Sequence, residues 1–83
     1  MAEDVTALEL IKAYGISDSY FYSMVNAGIM PPPTVIPENG AQARLWNKHE
    51  VGEAMRAMQM RRPVAERKVL VQLIVRDRNA NTT

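Results

Sequence analysis

Gly15-Ile16-Ser17-Asp18-Ser19-Tyr20-Phe21-Tyr22-Ser23-Met24-Val25-Asn26-Ala27-Gly28 is the stretch on which the fold turns. Gly15 takes the left-handed conformation that ends a helix, Ile16 plugs a core, and Ser17 caps the next helix. Upstream, Thr6 and Glu9 have the spacing of a capping box, and Ala7, Leu8, Leu10 and Ile11 supply an apolar face. This spacing predicts a helix over about 6–14. Downstream, Phe21, Met24 and Val25 form the inner stripe of a helix from Asp18 to Ala27 that Gly28 ends. Asp18, Ser19, Tyr22, Ser23 and Asn26 are left outside, with Tyr20 at the stripe's edge. Two helices joined by so short a turn must meet at an angle.

Met30-Pro31-Pro32-Pro33 cannot be helical, because proline lacks an N–H and biases the residue before it toward extended geometry. Thr34 to Ile36 then reads as a short strand, Pro37 to Gln42 as a loop with an Asn-Gly turn, and Ala43 to Trp46 as the returning strand of a hairpin, or wing. Asn47 with Glu50 opens a third helix, in which Val51, Ala54, Met55 and Met58 recur at helical spacing up to Arg61-Arg62-Pro63. The methionines read as core or interface filler. Val64 to Arg78 opens like a helix but is rich in β-branched residues; helix is the favoured reading over strand. Leu70, Val71, Ile74 and Val75 then spread over an apolar arc wider than one contact needs, and are the candidates for oligomerisation. The fold class is mainly α with a small β-hairpin: a winged helix-turn-helix over 1–62, a C-terminal helix over 63–78 and a polar tail over 79–83.

Eighty-three residues allow one small domain. The absence of cysteine removes disulfides and thiolate metal sites, and with His49 the only histidine most zinc and triad chemistry lacks ligands, so neither enzyme activity, metal nor cofactor is expected. The acidic start and the lack of a long apolar run point to a cytoplasmic location, without a membrane. The net charge of +1 hides an asymmetry. Residues 1–40 carry only Lys12 against Glu3, Asp4, Glu9, Asp18 and Glu38. Residues 41–83 carry nine cations, seven of them arginine, against four carboxylates. Arginine suits phosphate and guanine, and such an asymmetry marks a candidate nucleic-acid face.

Gly15-Ile16-Ser17, Tyr22, Gly28-Ile29-Met30-Pro31 and Arg44-Leu45-Trp46-Asn47 stand in the order and spacing of a known motif. Over about residues 5–60 the chain resembles the small phage and prophage excisionase-like regulators, recombination directionality factors of the MerR-like winged-helix group that also holds the AlpA-type proteins. The resemblance implies a protein that binds double-stranded DNA, directs integrase toward excision and regulates lysogeny promoters. It also implies self-association, as a dimer or a head-to-tail oligomer, and no small-molecule substrate. A plain AlpA-type activator or repressor is the alternative within DNA binding, and a protein-interaction module the alternative outside it.

In a helix-turn-helix the second helix enters the major groove, so Ser17, Ser19, Tyr20, Tyr22, Ser23 and Asn26 are the candidate contacts there. Asn39, Gly40, Gln42 and Arg44 of the wing reach the minor groove or its phosphates, and Lys48 at the start of the third helix adds a phosphate contact. Trp46 reads as core rather than stacking platform, and His49 as a surface histidine. Arg61-Arg62 either bind phosphate or complement the helix dipole. Family members carry basic residues along the recognition helix, whereas here Asp18, Ser23 and Asn26 occupy those places. Backbone contacts must therefore come from the wing and the basic back half.

Overall fold

Thr6 organises the first element as its spacing predicts. In the computed structural model, which describes residues 3–38 and 44–80, its side chain accepts from the Glu9 backbone N–H at 3.3 Å while its own N–H donates to Glu9 Oε1 at 3.1 Å. This box opens α1 (Ala7–Tyr14). Gly15, at φ 66, closes α1, and the Ile16 N–H donates to the Ile11 carbonyl across it. Ser17 then caps α2 (Asp18–Asn26), its hydroxyl accepting from the Tyr20 N–H. Gly28, at φ 79, closes α2 with paired bonds from Gly28 N–H to Val25 and from Ile29 N–H to Met24. A Cβ at Gly15 or Gly28 would meet nothing within 4 Å, so backbone conformation alone calls for glycine there.

The small sheet differs from the expected hairpin. Asp4–Thr6 forms a strand, β1, that pairs antiparallel with β2 (Leu45–Asn47), Val5 opposite Trp46. The expected strand Thr34–Ile36 is reduced to one bridge, Val35 to Leu45, on the other side of Leu45. The Leu45 N–H donates to Val35 at 3.0 Å and the Thr34 N–H to Leu45 at 2.7 Å. Pro33 and Pro37 bound this segment and lack the N–H groups a longer ladder needs. The base of the wing is therefore present. Residues 39–43, which include the expected turn and the start of the returning strand, lie outside the described residues.

Asn47 Oδ1 accepts from the backbone N–H groups of His49 and Glu50 and opens α3 (Lys48–Gln59). Glu50 does not complete a capping box; its carboxylate pairs with Arg78 instead. The end of α3 has the same paired bonds as α2: Arg61 N–H donates to Met58 and Arg62 N–H to Ala57. Here the left-handed residue is Arg61, at φ 57, which costs about 1 kcal/mol relative to glycine.

Val64 to Ala80 is α4, a helix rather than a strand, and it continues through Asn79 and Ala80 into the expected tail. Its buried residues are Val71 and Ile74. The oligomerisation candidates therefore need correction: Val71 and Ile74 are covered within the protomer, Leu70 and Val75 are half-buried, and the exposed apolar side chains of α4 are Val64, Val69 and Leu73.

The core centres on Trp46, 1% exposed, with Phe21, Met24, Met30, Val51 and Met55 around it. The Phe21 and Trp46 rings meet edge to face, their centroids 5.2 Å apart, and Trp46 Nε1 donates to the Pro31 carbonyl at 3.1 Å. Trp46 is thus core, as read. Ile16 packs against the same cluster.

Candidate nucleic-acid interface

The Ser17 cap and the Gly15 turn fix how α2 leaves α1, and the stripe Phe21, Met24, Val25 fixes which side of α2 faces inward. Asp18, Ser19, Tyr20, Ser23 and Asn26 are exposed on the outward side. Tyr22 is not. It is half-buried, its ring edge-on to Phe21 at 5.5 Å and to Trp46 at 6.3 Å, because β2 covers that side of α2 and widens the buried arc.

The exposed groups differ in what they offer a ligand. Ser17 is committed to the cap, and the Ser23 hydroxyl donates to the Tyr20 carbonyl at 3.0 Å, which leaves Ser23 as an acceptor. The Tyr20 hydroxyl donates to Met58 Sδ at 3.2 Å, so the ring is held across toward α3 with its oxygen still able to accept. Ser19 and Asn26 make no side-chain hydrogen bond among the described residues and keep both donor and acceptor. Donor and acceptor pairs of this kind read base edges, asparagine bonding adenine through two bonds.

Arg44 stands beside this helix. It lines a cleft of about 710 Å³ with Leu8, Ile11, Asp18, Tyr22 and Trp46. Its Nε is buried without a hydrogen-bond partner, and no carboxylate, Glu38 and Asp18 included, lies within ion-pairing distance among the described residues. The guanidinium therefore makes no ion pair among the described residues, with Asp18 the acidic side chain that shares its cleft. Asn39, Gly40 and Gln42 lie outside the described residues.

Lys48 is not brought to α2. It lines a separate groove with Glu9, Tyr14 and His49, and its backbone N–H donates to the Glu3 carbonyl at 2.8 Å. His49 is a surface side chain, 3.6 Å from the Glu3 carboxylate. Sequence reasoning missed Arg67, whose Nη2 lies 4.0 Å from Met24 Sδ on the inner side of α2. A contact over 43 residues has no local signal.

Among the described residues, no three histidine or acidic side chains group to hold a metal, and no helix is long and apolar enough to cross a membrane. The chain matches no family model, no curated protein and no solved structure.

Proposed function

We propose that the chain is a sequence-specific DNA-binding protein of the excisionase-like kind, acting on recombination and on phage promoters in a bacterial cytoplasm. One observation carries this: a tightly turned second helix exposes Ser19, Ser23 and Asn26, while Arg44, without an ion pair among the described residues, stands at its flank. In this arrangement α2 reads base edges and Arg44 holds the adjacent phosphate or minor groove. A footprint with few cations binds single sites weakly, so neighbouring protomers raise affinity along an array. Phage integrase is the partner the resemblance implies.

Selection of duplexes from a random pool tests the reading. Enrichment of short direct repeats bound cooperatively supports an excisionase-like role, and an inverted repeat an AlpA-type dimeric regulator. Absence of binding at low salt removes DNA as the partner and turns the search to protein partners. Arg44→Ala is expected to weaken binding to the selected site and to make the dependence of log affinity on log salt shallower by about 1, read by anisotropy titrations. An unchanged slope would remove Arg44 from the interface.

Protomer contact, if it uses α4, falls on Val69 and Leu73, one turn apart and 52% and 48% exposed. Leu73→Lys is expected to leave the melting temperature within a few degrees while abolishing cooperativity on a multi-site duplex. Cooperativity that survives would place the contact elsewhere.

A further inference from the structure

The arginines at the elbow between α3 and α4 have no role in the interface described above. Arg56, Arg62 and Arg67 line a cavity of about 310 Å³ there, with Glu53 and Glu66 as its only acidic lining. Arg61 precedes Arg62, and Lys68 follows Arg67. None of these five cations is within ion-pairing distance of a carboxylate among the described residues, and Arg67 Nε is buried without a hydrogen-bond partner. Three arginines against two glutamates line the cavity, a surplus of one positive charge, to which Arg61 adds at the end of α3.

Two further observations give this corner a direction. Arg61 holds the left-handed position, φ 57, that glycine fills at the ends of α1 and α2. A side chain kept where glycine is easier makes the elbow a candidate for function rather than for stability. The elbow also abuts the outward helix: Tyr20 of α2 donates to Met58, one residue before the end of α3, and Arg67 touches Met24 of α2. Arg44, by contrast, meets α2 through Asp18 and Tyr22.

The geometry points to a second phosphate-binding flank: Arg61 and Arg62, supported by Arg56 and Arg67, hold the DNA backbone on the side of α2 away from Arg44. This inference rests on the DNA-binding reading. It supplies the backbone contacts that a cation-free α2 lacks. Phosphate contacts position a protein without reading sequence, so the elbow sets register and affinity rather than specificity.

Arg61→Gly with Arg62→Gln tests it, since glycine is the easier residue at φ 57 and the double variant keeps the fold while removing two cations. On a duplex selected by the wild-type protein, the variant is expected to show a salt slope shallower by about 2 and a loss of affinity that is uniform across sequence variants of the site, with melting temperature unchanged or raised. An unchanged slope and affinity in a folded variant would overturn the elbow while leaving the DNA reading intact. A loss confined to one base position would also overturn it. Failure of the wild-type protein to bind any duplex at low salt would sink the DNA reading and this inference together.

Discussion

Trp46→Ala is expected to abolish cooperative folding, or to lower the melting temperature by more than 20 °C, as followed by far-UV circular dichroism. Removal of a buried tryptophan costs about 3–5 kcal/mol through lost burial and the cavity left behind. At 1% exposure Trp46 has no share of its surface already in water to reduce that figure. The Pro31 carbonyl also loses its donor, since the indole N–H reaches it at 3.1 Å. An unsatisfied buried acceptor adds about 1–3 kcal/mol. A domain of this length holds roughly 4–12 kcal/mol in total, so the sum approaches the whole of its stability. Trp46→Phe keeps an aromatic ring against Phe21 while removing the donor and part of the buried ring volume, and is expected to cost less than alanine, about 2–4 kcal/mol. A variant with alanine that melts within 5 °C of the original would show that the core is not built on this residue. Trp46 also follows Arg44 by two residues and sits against Tyr22, so the ring that holds the core together fixes the wing base beside α2. DNA binding in the phenylalanine variant therefore reports on placement, and in the alanine variant on folding.

What was legible in the sequence is what local chemistry determines. Thr6 with Glu9, Gly15, Ser17, Gly28 and Asn47 each act within three to five residues of themselves, and each takes the cap or turn its spacing predicts. The mainly helical fold follows from them. The parts that were not legible depend on distant partners. β1 is three residues long and contains an aspartate, too short a run to signal a strand; only its pairing with Leu45–Asn47 makes it one. Tyr22 reads as outward by periodicity, yet the Trp46 ring of β2 packs edge-on against it. Val71 and Ile74 offer the same apolar surface to a second copy or to the chain's own core, and the sequence does not distinguish the two. Arg61 gives no hint of its left-handed backbone, because arginine occupies that position only where the bonds closing α3 demand it. At the candidate interface the outward groups of α2 were readable from helical spacing and Arg44 from the wing motif, whereas the place of Arg67 was not. Arg67 reaches Met24 of α2 from an element remote in sequence, and no spacing rule links the two.

Arg78→Ala carries the second large effect, expected at about 2 kcal/mol, with a fall in melting temperature of roughly 8–16 °C. Arg78 makes two hydrogen bonds with Glu50, Nε to Oε2 at 3.1 Å and Nη2 to Oε1, and Nη2 also donates to the Pro32 carbonyl at 3.0 Å. The two side chains are only 20% and 19% exposed, so water screens the pair less than it screens a surface ion pair. Truncation of one partner leaves the Glu50 carboxylate half-enclosed beside the proline connector without its counter-charge, and that penalty, more than the attraction lost, sets the size of the effect. Arg78→Lys is expected to recover only part of the loss, because a single ammonium cannot span both carboxylate oxygens and the Pro32 carbonyl together. Arg78→Ala combined with Glu50→Gln should cost less than the two single losses added, since the second change removes the charge that the first left stranded. Urea titrations of the four proteins measure that difference. Additive losses, or a single-variant shift under 3 °C, would show that the pair does not fasten α4. The consequence reaches the wing, because Pro32 and Pro33 lead directly into the Thr34-Val35 segment that bridges Leu45. A chain without the latch therefore loosens α4 and the root of the wing together, and its affinity for a selected duplex is expected to fall even at temperatures where it remains folded.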